Sequence, residues 1–352
     1  MKKVITVLLV VALLFSMAAC AGGTSGKNDK FVGISMPTQD LQRWNQDGAN
    51  MKEKFEAAGY KVDLQYANNE VNTQVSQIEN MISAGVKVLV IAAIDGKTLT
   101  QVLASAKDAG IYVIAYDRLI MDTDAVSYYC TFDNYMVGTI QGQYIKDQLK
   151  LDAGGSYNIE ITAGDPADNN ALYFYQGAID VIQPFIDSGV VKVPSGQVKF
   201  EEVATPAWST ETSQARMEAI LASFYADGTQ LDACLCSNDS TAKGVTNALA
   251  SSYTGKYPIV TGQDCDIANT KDIIAGKQSM SIFKDTRTLA AQTVQMASDL
   301  LAGKTPETND TTTYNNGVKV VPTYLCKPVF ADINNYKELL IDSGYYKADQ
   351  LK

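Results

Sequence analysis

The chain has 352 residues, of which 46% are hydrophobic, and its 39 acidic and 29 basic side chains leave a formal net charge of −10. That length is ample for a large core and more than one domain, and the acidic balance argues against nucleic acid, whose phosphates call for a basic face. There is no histidine, which removes Ser–His and Cys–His dyads, histidine-based zinc sites and histidine general bases together.

The first 20 residues read as a targeting segment. Lys2 and Lys3 form a positive start, residues 4–15 an apolar stretch too short to span a membrane, and Ser16-Met17-Ala18-Ala19 a run ending in small residues just before Cys20. This layout resembles a bacterial lipoprotein signal, with Cys20 as the lipidated residue; Met17 departs from the Leu-type residue usual there. Residues 21–30, rich in Gly, Ser, Thr, Asn and Lys, read as a flexible tether. The mature protein is therefore expected outside the cytoplasm, held to the cell membrane by lipid.

Strand and helix patterns then alternate. Strands are predicted over 31–36, 62–67, 86–92, 111–116 and 126–132. The intervening helices cover 43–58, 73–84 and 99–109, each followed by a Gly that suits a left-handed cap. A second round begins with a helix to about 149. Strands follow over 157–162, 197–203, 231–237, 258–262 and 279–283, with helices over 170–188, 211–226, 241–252, 267–275 and 286–301. Residues 318–329 read as extended and 336–343 as helical. Such alternation implies βαβ units and parallel sheets. More than eight strands favour two doubly wound domains over a (β/α)₈ barrel.

The apolar run 111–116 ends in Asp117-Arg118, at the position where open α/β sheets bind ligands. One such pair alone reads as a surface ion pair worth little. Three other strand-like runs end in Asn238-Asp239, Gln263-Asp264 and Lys284-Asp285, so the repetition points to one convergent polar site. Asp117, Asp168 and Asp264 offer acceptors, Arg43, Arg118 and Lys284 charged donors, and Asn170 and Asn238 both. Sugar hydroxyls, which donate and accept, fit between such groups, whereas an anion would find each cation already beside an Asp. Trp44 and Trp208 fall in strand-end loops, placed to clamp the C–H faces of a sugar ring. The five cysteines after Cys20 (Cys130, Cys234, Cys236, Cys265 and Cys326) are an odd number and cannot all pair; buried free thiols are the simplest reading.

The matching segments Arg43-Trp44, Gln77-Ile78-Glu79-Asn80-Met81, Ala115-Tyr116-Asp117-Arg118, Phe132-Asp133-Asn134, Asp168-Asn169-Asn170-Ala171, Ser237-Asn238-Asp239, Gly262-Gln263-Asp264 and Asn316-Gly317-Val318-Lys319 span nearly the whole mature chain. Through them the sequence resembles the D-xylose-binding and multiple-sugar-binding proteins of bacterial ABC importers, a branch of the ribose-type (type I) periplasmic binding proteins. Cys130 departs from that pattern, standing where a small residue is usual. The resemblance implies two doubly wound parallel-sheet lobes joined by a three-segment hinge. The first would hold residues 31–132 and 285–320, the second 133–284 and 321–352, with crossings near 132–133, near 283–284 and within 318–325. It implies sugar contacts from Arg43, Asp117, Arg118, Asp168, Asn170, Asn238, Asp264 and Lys284, with Trp208, and Trp44 opposite it, packing on the ring.

The expected function is capture of an aldopentose or aldohexose by hinge closure and delivery to an ABC permease, with no catalytic residue, cofactor or metal, by a monomer. A sensor or chemoreceptor is a further reader of the closed form for some relatives. The rivals are a glycosidase built on Asp117 and Asp264 and a sugar-responsive repressor; for the latter, the lipoprotein signal stands where a DNA-binding unit would precede the core.

Overall fold

The structure, a computed structural model, describes residues 30–352. The targeting segment, Cys20 and the tether up to residue 29 lie outside the described residues.

Three βα steps and a fifth strand build most of the first sheet. Strands β1 (Phe31–Met36), β2 (Lys61–Tyr66), β3 (Val88–Ile91), β4 (Tyr112–Tyr116) and β5 (Val126–Phe132) alternate with helices α1 (Gln42–Ala57), α2 (Val71–Ser83) and α3 (Thr100–Asp108). The strands are parallel in the order β5-β4-β3-β1-β2. Neighbouring side chains on a strand enter opposite cores: Leu89 and Ile91 face Ile78, Met81 and Leu103, while Val88 and Val90 face Met51, Phe55 and Leu289. Both faces are covered by helices, which is why the central strand β3 is apolar and buried at every position, whereas the edge strand β2 alternates Lys61, Asp63 and Gln65 with Val62, Leu64 and Tyr66. Gly59, Gly85 and Gly110 end the three helices with φ of 81°, 81° and 70°.

The chain leaves this sheet at Phe132. Asp133 caps α4 (Asn134–Leu149) by accepting a hydrogen bond from the Met136 amide. The second lobe has parallel strands β6 (Tyr157–Thr162), β7 (Val191–Lys192), β8 (Ala233–Cys236) and β9 (Ile259–Val260) in the order β7-β6-β8-β9. Helices α5 (Asn169–Asp187), α6 (Phe200–Val203), α7 (Thr210–Phe224), α8 (Asp239–Ser252) and α9 (Ile267–Ile274) complete it. Strand β10 (Met280–Phe283) extends this lobe through a bridge from Ile282 to Gln263. The chain then returns to the first lobe as α10 (Thr286–Leu301), which lies along α1; there Asn50 donates to Thr286 and Tyr60 to Ser298.

Two expectations are corrected here. Residues 197–203 form no strand: Glu202 accepts from the amides of Val198 and Lys199, each at 3.1 Å, which winds Phe200–Val203 into a helical turn. The two-residue strand β7 takes the place on the sheet. Residues 321–326 do not join the second lobe either. Strand β11 (Thr323–Cys326) pairs in parallel with Tyr129–Phe132 at the edge of the first sheet. The third crossing is therefore Lys327-Pro328, after which β12 (Val329–Asp332) pairs antiparallel with β10. A π-helical turn, Lys337–Asp342, follows.

Helices α4 and α5 touch backbone to backbone. A Cβ on Gly138 would lie 1.9 Å from the Phe174 carbonyl oxygen, and one on Gly177 2.1 Å from that of Tyr135. Alanine is the better helix former, yet Gly138→Ala is expected to lower the unfolding free energy by about 2–3 kcal/mol through overpacking. Urea denaturation reads this directly, and an unchanged midpoint would show that the helices part freely.

Candidate binding site

The strand ends of both lobes converge on one small, largely closed cavity, as ligand sites between lobes are. Arg43, Trp44, Asp117, Arg118, Asp168, Asn170, Trp208, Asn238, Asp264 and Lys284 all line it. The first lobe contributes the start of α1 and the turn after β4. The second contributes the starts of α5 and α8, the turn before α7, and the residues after β9 and β10. Leu41, Phe174, Ser240, Gln263 and Asp266 also line the cavity and were not anticipated. Phe174 lies one helical turn beyond Asn170, and Gln263 and Asp266 flank Asp264, so proximity to recognised positions was the available signal. Asp239 and Asp285, the other strand-end carboxylates, do not reach the cavity. Asp239 is buried behind it, accepting from Gln278 and Ser281 at 2.8 and 2.9 Å, and Asp285 caps α10 and pairs with Arg287.

Arg43 is the electrostatic centre. Its Nε donates to Asp47 at 3.0 Å, one terminal nitrogen to Asp117, and the other to Asp264 of the second lobe at 3.4 Å. Tyr116 donates its hydroxyl to the other oxygen of Asp47. Lys284 lies 3.1 Å from Asp264. Arg118 donates to the carbonyls of Ala93 and Ile94, and its Nε lies 3.0 Å from Asp168 across the cleft. That N–H is not aimed at the carboxylate and makes no hydrogen bond within the protein. The Trp44 ring lies 4.9 Å from the Arg43 guanidinium and 5.1 Å from that of Arg118. It holds both arginines by cation–π contact, besides facing the cavity.

Several lining groups are already engaged. Asp168 caps α5, accepting from the Asn170 amide, and Asn238 caps α8, accepting from that of Thr241. Asn170 donates to the Asp117 carbonyl at 2.6 Å and accepts from Tyr129 and Asn134, each at 2.9 Å, so one N–H is left for a ligand. The same Asp117 carbonyl accepts from Thr131 and lies 2.5 Å from the Tyr129 hydroxyl, whose single proton it shares with Asn170. These bonds hold Asp117 at a φ of 60°, a left-handed conformation that a residue with a side chain keeps only when its surroundings over-determine it. Trp208 packs against Phe174 and fills the space beside Gly164, where a Cβ would meet the ring at 1.9 Å. Its indole N–H, with Gln263 Oε1 and Asp266 Oδ1, is buried with no hydrogen-bond partner in the protein. The lining thus presents both donors and acceptors to one small volume.

Burial pushes the carboxyl of Asp47 up to about 6, against the pull of Arg43, and raises Asp168, with Arg118 opposing. Burial and the nearby Asp264 push Asp266 up to about 7. For Asp117 the burial penalty is outweighed by Arg43, then Lys284 and Arg118, which hold it below the usual carboxylate range. Cys130, Cys234, Cys236, Cys265 and Cys326 are all buried free thiols, raised by desolvation, which makes them poor nucleophiles at neutral pH.

The Asp47 shift has a signed consequence. A carboxyl raised from 3.8 to about 6 on folding contributes stability that is complete below the unfolded value and lost as pH rises through the folded one. Relative to Asp47→Asn, the wild type is expected to lose stability between about pH 4 and pH 6. Urea midpoints of both proteins across that range measure it; parallel curves would place the charge of Asp47 outside the folding equilibrium.

A family model described as a periplasmic binding protein domain matches residues 32–305. The chain is 49% identical to the multiple sugar-binding periplasmic receptor ChvE of Rhizobium radiobacter, with all of both chains covered. It is 36% identical to the D-xylose-binding periplasmic protein of Escherichia coli K12 over 99% of each. Among solved structures, an ABC transporter solute-binding protein from Clostridium phytofermentans with bound β-D-glucose superposes with a TM-score of 0.91 at 67% identity, covering 92% of this chain and all of that one. With parallel sheets in two lobes and a cavity where their strand ends meet, the chain belongs to the periplasmic binding protein family.

Proposed function

We propose that this protein is an extracytoplasmic solute-binding protein that captures a monosaccharide, an aldopentose or aldohexose, and delivers it to an ABC importer in the membrane. The observation that carries this reading is the pairing of acceptors with donors around one small cavity between two lobes. Asp117, Asp264 and Asp168 stand against Arg43, Lys284 and Arg118, and Trp208 forms one wall. A hydroxyl set between a carboxylate and a guanidinium donates to one and accepts from the other, while the near-balance of charge disfavours an anion. In this mechanism the ten lining residues named from the sequence contact the sugar. Ligand binds the open lobes, and closure brings Asp264 to Arg43 and Asp168 to Arg118. The gain is set by the difference in affinity between closed and open forms. Cys20 would carry the lipid anchor, and the closed form is what the permease recognises.

A second reading, hydrolysis of a glycoside, has one observation in its favour: Asp266, held near 7 beside Asp264, suits a general acid. Against it, Asp117 and Asp264 are both held by Arg43 and Asp264 also by Lys284, so neither stands free as nucleophile or base. No catalytic residue or cofactor enters the proposal.

Calorimetric titration of residues 21–352, stripped of ligand, with a panel of aldopentoses and aldohexoses tests the proposal. One-to-one binding of one or a few sugars is expected. Asp117→Ala should weaken it at least about 30-fold, because Arg43 is left buried and short of a partner, and Trp208→Ala by about 10–100-fold. Silence across the panel would sink the monosaccharide reading, and release of sugar from a bound glycoside would replace binding by catalysis.

A further inference from the structure

The lobes also meet outside the cavity. Near the C-terminus, Tyr345 and Tyr346 stack edge-on 4.8 Å apart, and Tyr345 packs against Phe283 at the same separation. Tyr346 belongs to an apolar cluster with Cys265, Leu340 and Leu351, so the pair is part of the second lobe. Its hydroxyl donates to the Cys265 carbonyl at 2.9 Å and accepts from Gln42 at 2.7 Å and Gln46 at 3.2 Å. Both glutamines stand on α1 of the first lobe. The Tyr346 proton and both its lone pairs are thereby used. Tyr345 donates to Gln46 in turn, at 3.2 Å.

Gln42 does a second thing. Its side-chain oxygen accepts from the Ile267 amide at 3.1 Å. Ile267 opens helix α9, whose cap residue Asp266 makes no side-chain cap bond. The first amides of a helix have no partner within it, so α9 takes its capping acceptor from the opposite lobe. The turn just before it, Asp264-Cys265, sits at φ of 100° and 52°, a conformation that must be held from outside. Four bonds from its own lobe do so: Asp264 N to the Ile282 carbonyl, Cys265 N to Ser281, Asp266 N to Asp239, and Tyr346 to the Cys265 carbonyl. The last of these is the one tied to the first lobe. It grips the carbonyl between Asp264 and Asp266, two cavity-lining carboxyls, through the residue next to Arg43.

We propose that Gln42 and Tyr346 are positioning residues for ligand capture, forming a latch that is made only when the lobes close, steadies the Asp264–Asp266 turn from behind, and slows ligand release. Neither residue lines the cavity, so neither acts by touching ligand. This rests on the sugar-binding reading of the cavity. Opening hands the bonds of Gln42 and Gln46 to water, while the Tyr346–Cys265 bond stays within the second lobe; loss of the inter-lobe bonds therefore acts on the closed form and hence on dissociation, whereas encounter with the open lobes is unaffected.

Stopped-flow tryptophan fluorescence with D-glucose and D-xylose on residues 21–352 tests the latch. Tyr346→Phe keeps the ring packing and Gln42→Ala removes the partner. Each is expected to raise koff about tenfold and leave kon within about twofold, and the double variant should add little to either single one. The thermal midpoint of ligand-free Gln42→Ala, whose latch partners all stand on the other lobe, should match the wild type. Unchanged koff in both variants overturns the proposal, as does a lowered ligand-free midpoint with no split between koff and kon. If the wild type binds no sugar of the calorimetric panel, the reading of the cavity fails and the latch falls with it; wild-type binding with unaltered variants refutes the latch alone.

Discussion

The architecture depends on the guanidinium of Arg43. It is buried, and a buried charge is tolerated only when its hydrogen-bonding capacity is met by partners of opposite sign. Asp47 and Asp117 supply them from the same lobe, and Asp264 supplies one from the other. The first two hold the side chain in place, with Trp44 beneath it. The third makes the electrostatic balance depend on how the lobes are arranged. Separated lobes would leave Asp264 to Lys284 and to water, and open Arg43 to solvent. On the proposed function, lobe closure is coupled to the desolvation of a small set of charges, which lets a neutral hydroxylated ligand with matching donors and acceptors tip the balance. Asp117 stays ionised in this setting because three cations surround it, whereas at Asp266 burial and the nearby Asp264 outweigh the pull of Arg43 and Lys284.

Much of the site was legible because the fold puts its chemistry at abrupt changes of polarity. Asp117-Arg118 after an all-apolar run, Asn238 after β8 and Asp264 after β9 are visible as charge or amide at the end of a strand. Asp266 was not, because reaching the cavity depends on a left-handed turn at Cys265, a residue whose side chain gives no hint of that backbone state. Phe174 and Leu41 look like any core residue on a helix or its approach. Trp44 was read as a wall for ligand, and the structure also gives its ring to two arginines, a role that depends on three segments meeting. The lobes' alternating pattern was plain, but residues 324–330 form an apolar run broken only by Lys327-Pro328. Nothing local in that stretch says that its first half belongs to one lobe and its second half to the other; that is decided by pairing with β5 and β10, far away in sequence. The helical turn at 200–203 was missed because Val198 and Phe200 alternate like a strand, while Glu202 satisfies the backbone instead.

The two tryptophans illustrate how unlike positions of one residue type are fixed. Trp44 is set by electrostatics, between guanidinium groups. Trp208 is set by space: it occupies the volume left by the missing side chain of Gly164, and it sits at a φ of 55° in a turn closed by a bond from its amide to the Thr205 carbonyl. Replacing either ring disturbs different things, charge placement in one case and the shape of the wall in the other.

The pairing of β11 with β5 carries a consequence for how the protein comes into being. The first lobe is discontinuous along the chain: its sheet cannot be finished until residues 323–326 are available, after most of the second lobe has been made. Until then the outer edge of β5 is an unpaired strand border, the kind of surface that recruits stray chains, and closing it joins partners remote in sequence, which is slow. A polypeptide with this layout stays incomplete while it is threaded through a translocation channel and finishes its first lobe only after nearly all of it has emerged. Late completion suits export in an unfolded state, and it makes the interval before β11 docks the period of greatest exposure to aggregation.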